Sequence, residues 1–147
     1  MASYNEIDGV PNHLNHWLLT DILRGEWGFD GAVISDYDGV SRTIDRQFAC
    51  ATTAEAGLRA INAGLDFELP SSKANDCFQN LPELIRSGQL KESVLDLAVS
   101  RMLRNKFLLG LFENPYPPGA EKARRVMNSP EHQALAQEAA EKGIILL

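Results

Sequence analysis

Trp27-Gly28-Phe29-Asp30-Gly31-Ala32-Val33-Ile34-Ser35-Asp36-Tyr37-Asp38-Gly39 decides how the rest of the chain is read. Gly28 and Gly31 flank a tight approach. Ala32-Val33-Ile34 is a short, wholly apolar run with two β-branched residues, the pattern of a strand buried on both faces of a parallel sheet. The run stops at a hydroxyl and a carboxylate, Ser35-Asp36, and Asp38-Gly39 turns the chain out of the strand. A carboxylate that ends a buried parallel strand stands at the mouth of the sheet, where barrels and open α/β sheets gather their reacting groups. On this stretch alone two readings of Asp36 stand: a reacting group, or a residue that orders the turn or caps the next helix.

Outward from this strand, the spacing predicts a short strand over 1–4 and a loop over 5–12 with Asp8-Gly9 and Pro11 as turn markers. A helix is expected over 13–24, on Leu14, Trp17, Leu18 and Ile22, with Gly25 ending it. Downstream, 39–51 has no clean period and reads as a loop with a short helical turn. Thr52 or Thr53 is expected to cap a helix over 54–62, with Glu55 near its positive end and Gly64 closing it. Leu65-Asp66-Phe67-Glu68-Leu69 alternates apolar and acidic residues up to Pro70 and reads as the next strand.

Two further helices are predicted, over 76–87 and 91–111. The second carries a broad apolar stripe through Val94, Leu97, Ala98, Met102, Leu103, Phe107 and Leu108, with Arg101, Arg104 and Lys106 toward its negative end. Glu113-Asn114-Pro115-Tyr116-Pro117-Pro118-Gly119 cannot continue a helix and marks a linker. Ser129-Pro130-Glu131 opens another helix, and 143–147 reads as a terminal strand. Strands alternating with helical crossovers ask for an α/β parallel sheet. Both ends, a strand-like start and a bare apolar strand at the end, are expected of a piece of something larger.

The chain has 147 residues, enough for one domain with a core, and its 44% hydrophobic and 23% charged residues are ordinary globular proportions. A net charge of −6 with no basic block argues against non-specific nucleic-acid binding. No apolar run reaches membrane-spanning length and no signal-type stretch opens the chain, so neither a membrane nor a nucleic acid is expected as partner and the localisation stays open. Cys50 and Cys77 belong to no metal-binding cluster and read as free thiols.

Several motifs fail. Counted as a calcium loop from Asp36, the fifth position is Val40, the glycine falls fourth, and Gln47 stands where a bidentate Glu is needed. His13, His16 and Asp21 complete no metal set, and the histidines read as surface or loop residues. Phosphate-cradling glycine loops, HExxH and a serine nucleophile elbow around Ser35 are all lacking. No metal or cofactor is called for. Carboxylates remain: Asp36 is placed to attack an anomeric carbon once a second carboxyl protonates the leaving oxygen. Asp38, Asp66 and Glu68 are the candidate partners. Asp38 sits on the outward side of a turn, and Asp66 and Glu68 are either structural or line the mouth.

Taken together, Ser3-Tyr4-Asn5-Glu6-Ile7-Asp8-Gly9-Val10-Pro11, Leu23-Arg24-Gly25-Glu26-Trp27-Gly28-Phe29-Asp30-Gly31 and Val33-Ile34-Ser35-Asp36-Tyr37 resemble the glycoside hydrolase family 3 β-glucosidases and β-xylosidases. The likeness continues through Ala63-Gly64-Leu65-Asp66, 98–107 and 110–116 to 136–147, and so covers essentially the whole chain. It implies a retaining, exo-acting β-glycosidase in which Asp36 is the nucleophile, forming a covalent glycosyl-enzyme. Tyr37 would flank the aglycone side, Tyr4 would contact the sugar and the nucleophile, and Met1 would line the substrate. The implied fold is about the last three βα units of a (β/α)8 TIM-type barrel over 1–112, a linker over 113–129, and the first helix and strand of an α/β sandwich domain over 130–147.

The resemblance also implies that earlier barrel strands grip the sugar hydroxyls and that the general acid/base belongs to the second domain. The isolated chain is therefore expected to be incompetent alone. Its expected ligand is a β-linked oligosaccharide or an aryl or alkyl β-glycoside. The alternative readings are a non-catalytic remnant, a piece that self-associates or complements a partner through open barrel edges, and a sugar-binding module.

Overall fold

A computed structural model describes residues 1–117 and 119–145. Mixed helix and strand divide into two compact units, Met1–Gly110 and a second beginning at Leu111.

In the first unit, β1 (Glu6–Ile7) and β2 (Val10–Pro11) form a small antiparallel hairpin around the Asp8-Gly9 turn, where only a loop was expected. Residues 1–4 form no strand; among the described residues their backbone meets the sheet through the Ala2 amide, which donates to the Ile34 carbonyl at 2.8 Å. One ladder bond does not make a strand. A 3₁₀ turn, Asn12–Leu14, leads into a helix of wide, π-type turns, Trp17–Glu26. It runs past Gly25, and its exit is made instead by Gly28, whose φ of 67° is the left-handed conformation that favours glycine.

The central element is a parallel pair, β3 (Ile34–Tyr37) with β4 (Phe67–Leu69). β3 starts later than the apolar run and extends through Asp36 to Tyr37, because a one-residue irregularity lets pairing resume at Tyr37↔Leu69. Between these strands lie a four-residue helix, α1 (Arg42–Asp45), and the crossover helix α2 (Thr53–Ala63). The caps of α2 match its sequence signals. Thr52 Oγ1 accepts from the Glu55 amide at 3.1 Å, a cap that contributes about 1 kcal/mol. Gly64 leaves the helix at φ 105°. The buried face of α2 is small, with Ala56, Ala60 and Ala63 in one core with Leu14, Leu19, Val33, Val40 and Leu65.

The helix expected over 76–87 is split into a 3₁₀ turn, Phe78–Asn80, and α3 (Leu81–Arg86). Pro82 is the cause: lacking an N–H, it fits the first turn of a helix and not its interior. A second core joins Leu81, Leu84 and Leu90 to Ile61 of α2 and Ala98 of α4 (Glu92–Leu108). The apolar stripe of α4 is not a buried one. Ala98 is buried, whereas Leu97, Leu103, Phe107 and Leu108 are exposed. Both cysteines are buried free thiols.

The second unit holds α5 (Ala120–Val126), in what reads as a polar stretch, and α6 (Pro130–Gly143). Ser129 caps α6 through the His132 amide, as the Ser-Pro start requires. The expected terminal strand is absent over 143–145: Gly143 is still helical, and Ile144 is extended but unpaired in any strand. Its last two residues, Leu146 and Leu147, lie outside the described residues. Among the described residues no helix is long and apolar enough to cross a membrane.

Candidate functional site

The irregularity in β3 is where chemistry can collect. Between Ile34↔Phe67 and Tyr37↔Leu69, β3 uses three steps where β4 uses two. Such a bulge re-aims a side chain and leaves backbone groups in need of other partners. Ser35, fully buried, supplies one: its Oγ accepts from the Leu69 amide at 2.9 Å. The Asp36 amide finds another in His13, donating to Nε2 at 3.2 Å. Asp36 is thus the third of four strand residues, at the carboxyl end of a parallel pair. Its Oδ1 accepts from the Tyr37 amide at 2.7 Å, and its carbonyl closes the following turn by accepting from Gly39.

Tyr4 joins this cluster from 33 residues away, its hydroxyl donating to the Tyr37 carbonyl at 2.5 Å. Partial burial, then the Asp36 carboxylate beside it, hold the Tyr4 phenol above its usual range. The Arg42 guanidinium lies 4.7 Å over the Tyr4 ring, and the Gln47 side-chain amide donates to the Tyr4 carbonyl. Tyr37 is exposed beside it, and Met1 is exposed at 72%. A cavity of about 350 Å³ opens next to the turn, lined by Asp38, Ser41, Arg42, Arg46 and Asn75; Asp36 is not among its walls.

The three other carboxylates have different places. Asp38 adopts φ 56° and its Oδ1 accepts from the Ser71 amide at 2.6 Å. Hydrogen bonds from Ser71 hold its carboxyl below the ordinary range, which makes it a poor proton donor at neutral pH. Asp66 belongs to the amino end of the strands, not the mouth. Its Oδ2 accepts from the Val33 amide at 2.8 Å and from Arg24 at 2.6 Å, and its Oδ1 accepts from Arg101 at 2.9 Å. Glu68 is buried, and burial pushes its carboxyl above the usual range, the electrostatics of an acid. Its contacts, however, are internal: Oε2 accepts from the Phe78 amide at 2.7 Å, and Oε1 is buried with no partner among the described residues.

His13 corrects the sequence reading. It is neither a surface nor a loop histidine but a fully buried one beneath the Asp36 turn. Nothing in its local spacing carries that signal, because its partner is 23 residues away. His16 does lie at the surface, with Nδ1 3.4 Å from Asp21. Among the described residues no group of three or more His, Cys, Asp and Glu is placed to hold a metal ion.

Comparison with known proteins gives this geometry a context. Residues 1–105 match the glycosyl hydrolase family 3 N terminal domain. The whole chain aligns with a β-xylosidase of Formosa agariphila at 36% identity, covering 21% of that protein. It aligns equally along its length with β-glucosidase B of Emericella nidulans, at 35% identity and 15% of that protein. Among solved structures, a β-glucosidase from Erythrobacter marinus superposes with a TM-score of 0.87 at 41% identity, over 99% of this chain and 19% of that one. A β-glucosidase from Listeria innocua in complex with glucose gives 0.81 at 37% identity, over 93% and 18%. The chain spans about a fifth of the length of the curated relatives it matches.

Proposed function

This chain belongs to glycosyl hydrolase family 3, and on that premise we propose that it carries the nucleophile of a retaining, exo-acting β-glycosidase. The matched domain is of the TIM-barrel type; in our reading 1–112 are about its last three βα units, 113–129 a linker and 130–147 the start of an α/β sandwich domain. Asp36 attacks the anomeric carbon of a terminal non-reducing β-D-glucosyl or β-D-xylosyl residue and forms a covalent glycosyl-enzyme. Tyr4, whose phenol neighbours the Asp36 carboxylate, supports that carboxylate and contacts the sugar. Tyr37 flanks the leaving group and Met1 lines the substrate. The observation that carries this reading is Asp36 on the bulged carboxyl end of a parallel strand, with Tyr4 bonded to the next residue.

Leaving-group protonation falls to a residue beyond this chain. Asp38 is held ionised by Ser71, Asp66 is saturated by two guanidiniums and an amide, and Glu68 faces the Phe78 turn. Turnover of ordinary aryl β-glucosides and β-xylosides by the 147 residues is therefore expected to be negligible. A dinitrophenyl glycoside bearing fluorine beside the anomeric carbon needs no acid and hydrolyses its adduct slowly. With that reagent, mass spectrometry is expected to find the sugar on the peptide containing Asp36, and none in Asp36→Asn. Label on another residue overturns the assignment.

A second reading, a piece that associates with itself or with a complementing chain, draws on the exposed Leu97, Leu103 and Leu108 of α4. Size-exclusion chromatography with thermal circular dichroism separates the two. Oligomers with a non-cooperative melt support association; a monomer that melts cooperatively counts against it.

A further inference from the structure

His13 packs against the Asp36 turn at two points and faces the Tyr4 ring. Its Nε2 accepts the Asp36 amide at 3.2 Å, which requires a lone pair on that nitrogen and so a neutral ring with its proton on Nδ1. Gly39 passes directly over the same atom: a Cβ there would lie 2.1 Å from Nε2, so no other residue fits without displacing the ring. The Tyr4 ring stands 6.0 Å away, tilted by 45°. Within the irregular stretch of β3 the imidazole is the acceptor of the Asp36 N–H.

We propose that His13 is a positioning residue: a neutral imidazole that, through the Asp36 amide and the space left by Gly39, sets the direction in which the Asp36 carboxylate leaves the strand. The inference rests on reading Asp36 as the nucleophile. Its consequence is that protonating His13 reverses the Nε2 contact, because a second N–H then faces the Asp36 N–H. The titratable groups facing the ring are the Asp36 carboxylate of β3 and the Tyr4 phenol. On the α2 side the core is apolar, formed by Ala56, Ala60 and Ala63, while Glu55 and Arg59 of that helix pair with each other at the surface. Burial outweighs the attraction of Asp36 and holds His13 well down, at about 4, so the ring is neutral at neutral pH.

The test uses the nitrogen-15-labelled full chain. Long-range proton–nitrogen correlation at neutral pH is expected to show His13 protonated on Nδ1 and bare on Nε2. On acidification the Asp36 amide is expected to move with the same midpoint as the His13 ring. His13→Gln offers a carbonyl oxygen as substitute acceptor and is expected to keep the Asp36 amide protected while abolishing that midpoint. His13→Leu is expected to speed exchange of the Asp36 amide about fivefold or more, the loss of one net hydrogen bond. A proton on Nε2, or an Asp36 amide indifferent to the His13 titration, overturns the proposal, and both are read on the wild-type chain even if His13→Leu fails to fold. None of these signals depends on turnover, so a failure of sugar labelling at Asp36 is distinguishable from a failure here.

Discussion

Asp66→Asn is expected to lower folding stability by about 3–5 kcal/mol, the range for removing one partner of a buried ion pair. Asp66 is the one anion between two guanidiniums, and its side chain is 1% exposed against 10% for Arg24 and 19% for Arg101. Arg24 already pays for its position: burial holds its guanidinium below the usual range, Asp66 opposes that shift, and its Nε is buried without a partner among the described residues. An asparagine keeps the shape and still accepts from the Val33 amide, but presents an NH₂ where a guanidinium needs an acceptor. Arg24 also donates to the Gly31 and Gly64 carbonyls, so the loss reaches the start of β3 and the end of α2 together. Urea denaturation measures it. Asp30→Asn is the control, since it breaks an ion pair with Arg104 whose side chains are 74% and 47% exposed; its expected cost is under about 1 kcal/mol. Equal costs at the two sites would refute the account of the Arg24–Asp66–Arg101 cluster.

Acidification is the second large effect. His13 titrates near 6.5 when unfolded and near 4 in the folded chain, because burial disfavours the imidazolium. Between those values the unfolded state holds the extra proton, so stability rises with pH at about 1.4 kcal/mol per unit. The contribution is fully present above pH 6.5 and lost as pH falls toward 4, a change of about 3 kcal/mol. Glu68 acts in the opposite sense, its raised folded pKa adding stability as pH falls. Comparing the wild type with His13→Gln at each pH cancels Glu68 and every other carboxyl. The wild type is expected to lose stability more steeply through this window, and parallel curves would show that His13 is not held neutral by the fold.

How much was legible in the sequence divides by the range of the interaction. Thr52, Glu55 and Gly64 announced both ends of α2, and Ser129-Pro130 announced α6, because a cap is satisfied within three or four residues. Ala32-Val33-Ile34 followed by Ser35-Asp36 announced a strand with a carboxylate at its carboxyl end, which is where β3 places Asp36. The motif resemblance identified the family that the match over residues 1–105 shows.

Where a feature depends on a distant partner, the sequence left it open or pointed the wrong way. Alternation announced the strand that β4 forms over Phe67–Leu69, but left Asp66 either structural or lining the mouth; it is structural, at the amino end between Arg24 and Arg101, 42 and 35 residues away. Residues 1–4 and 143–145 have the composition of strands, but a strand needs a ladder: the first segment has a single backbone bond to β3, and the second pairs with no strand among the described residues. The α4 stripe has the period of a buried face, and period alone does not say what covers it.

By itself, then, the sequence determined the family, both ends of α2, the start of α6 and the strand that bears Asp36, since each is written in residues adjacent along the chain. Only the tertiary structure decided that His13 is buried under Asp36, that Gly39 must lack a side chain, and that Asp66 holds two arginines. Burial and the pairing of polar groups depend on which segments meet in space, and no local pattern encodes a meeting across 23 to 42 residues.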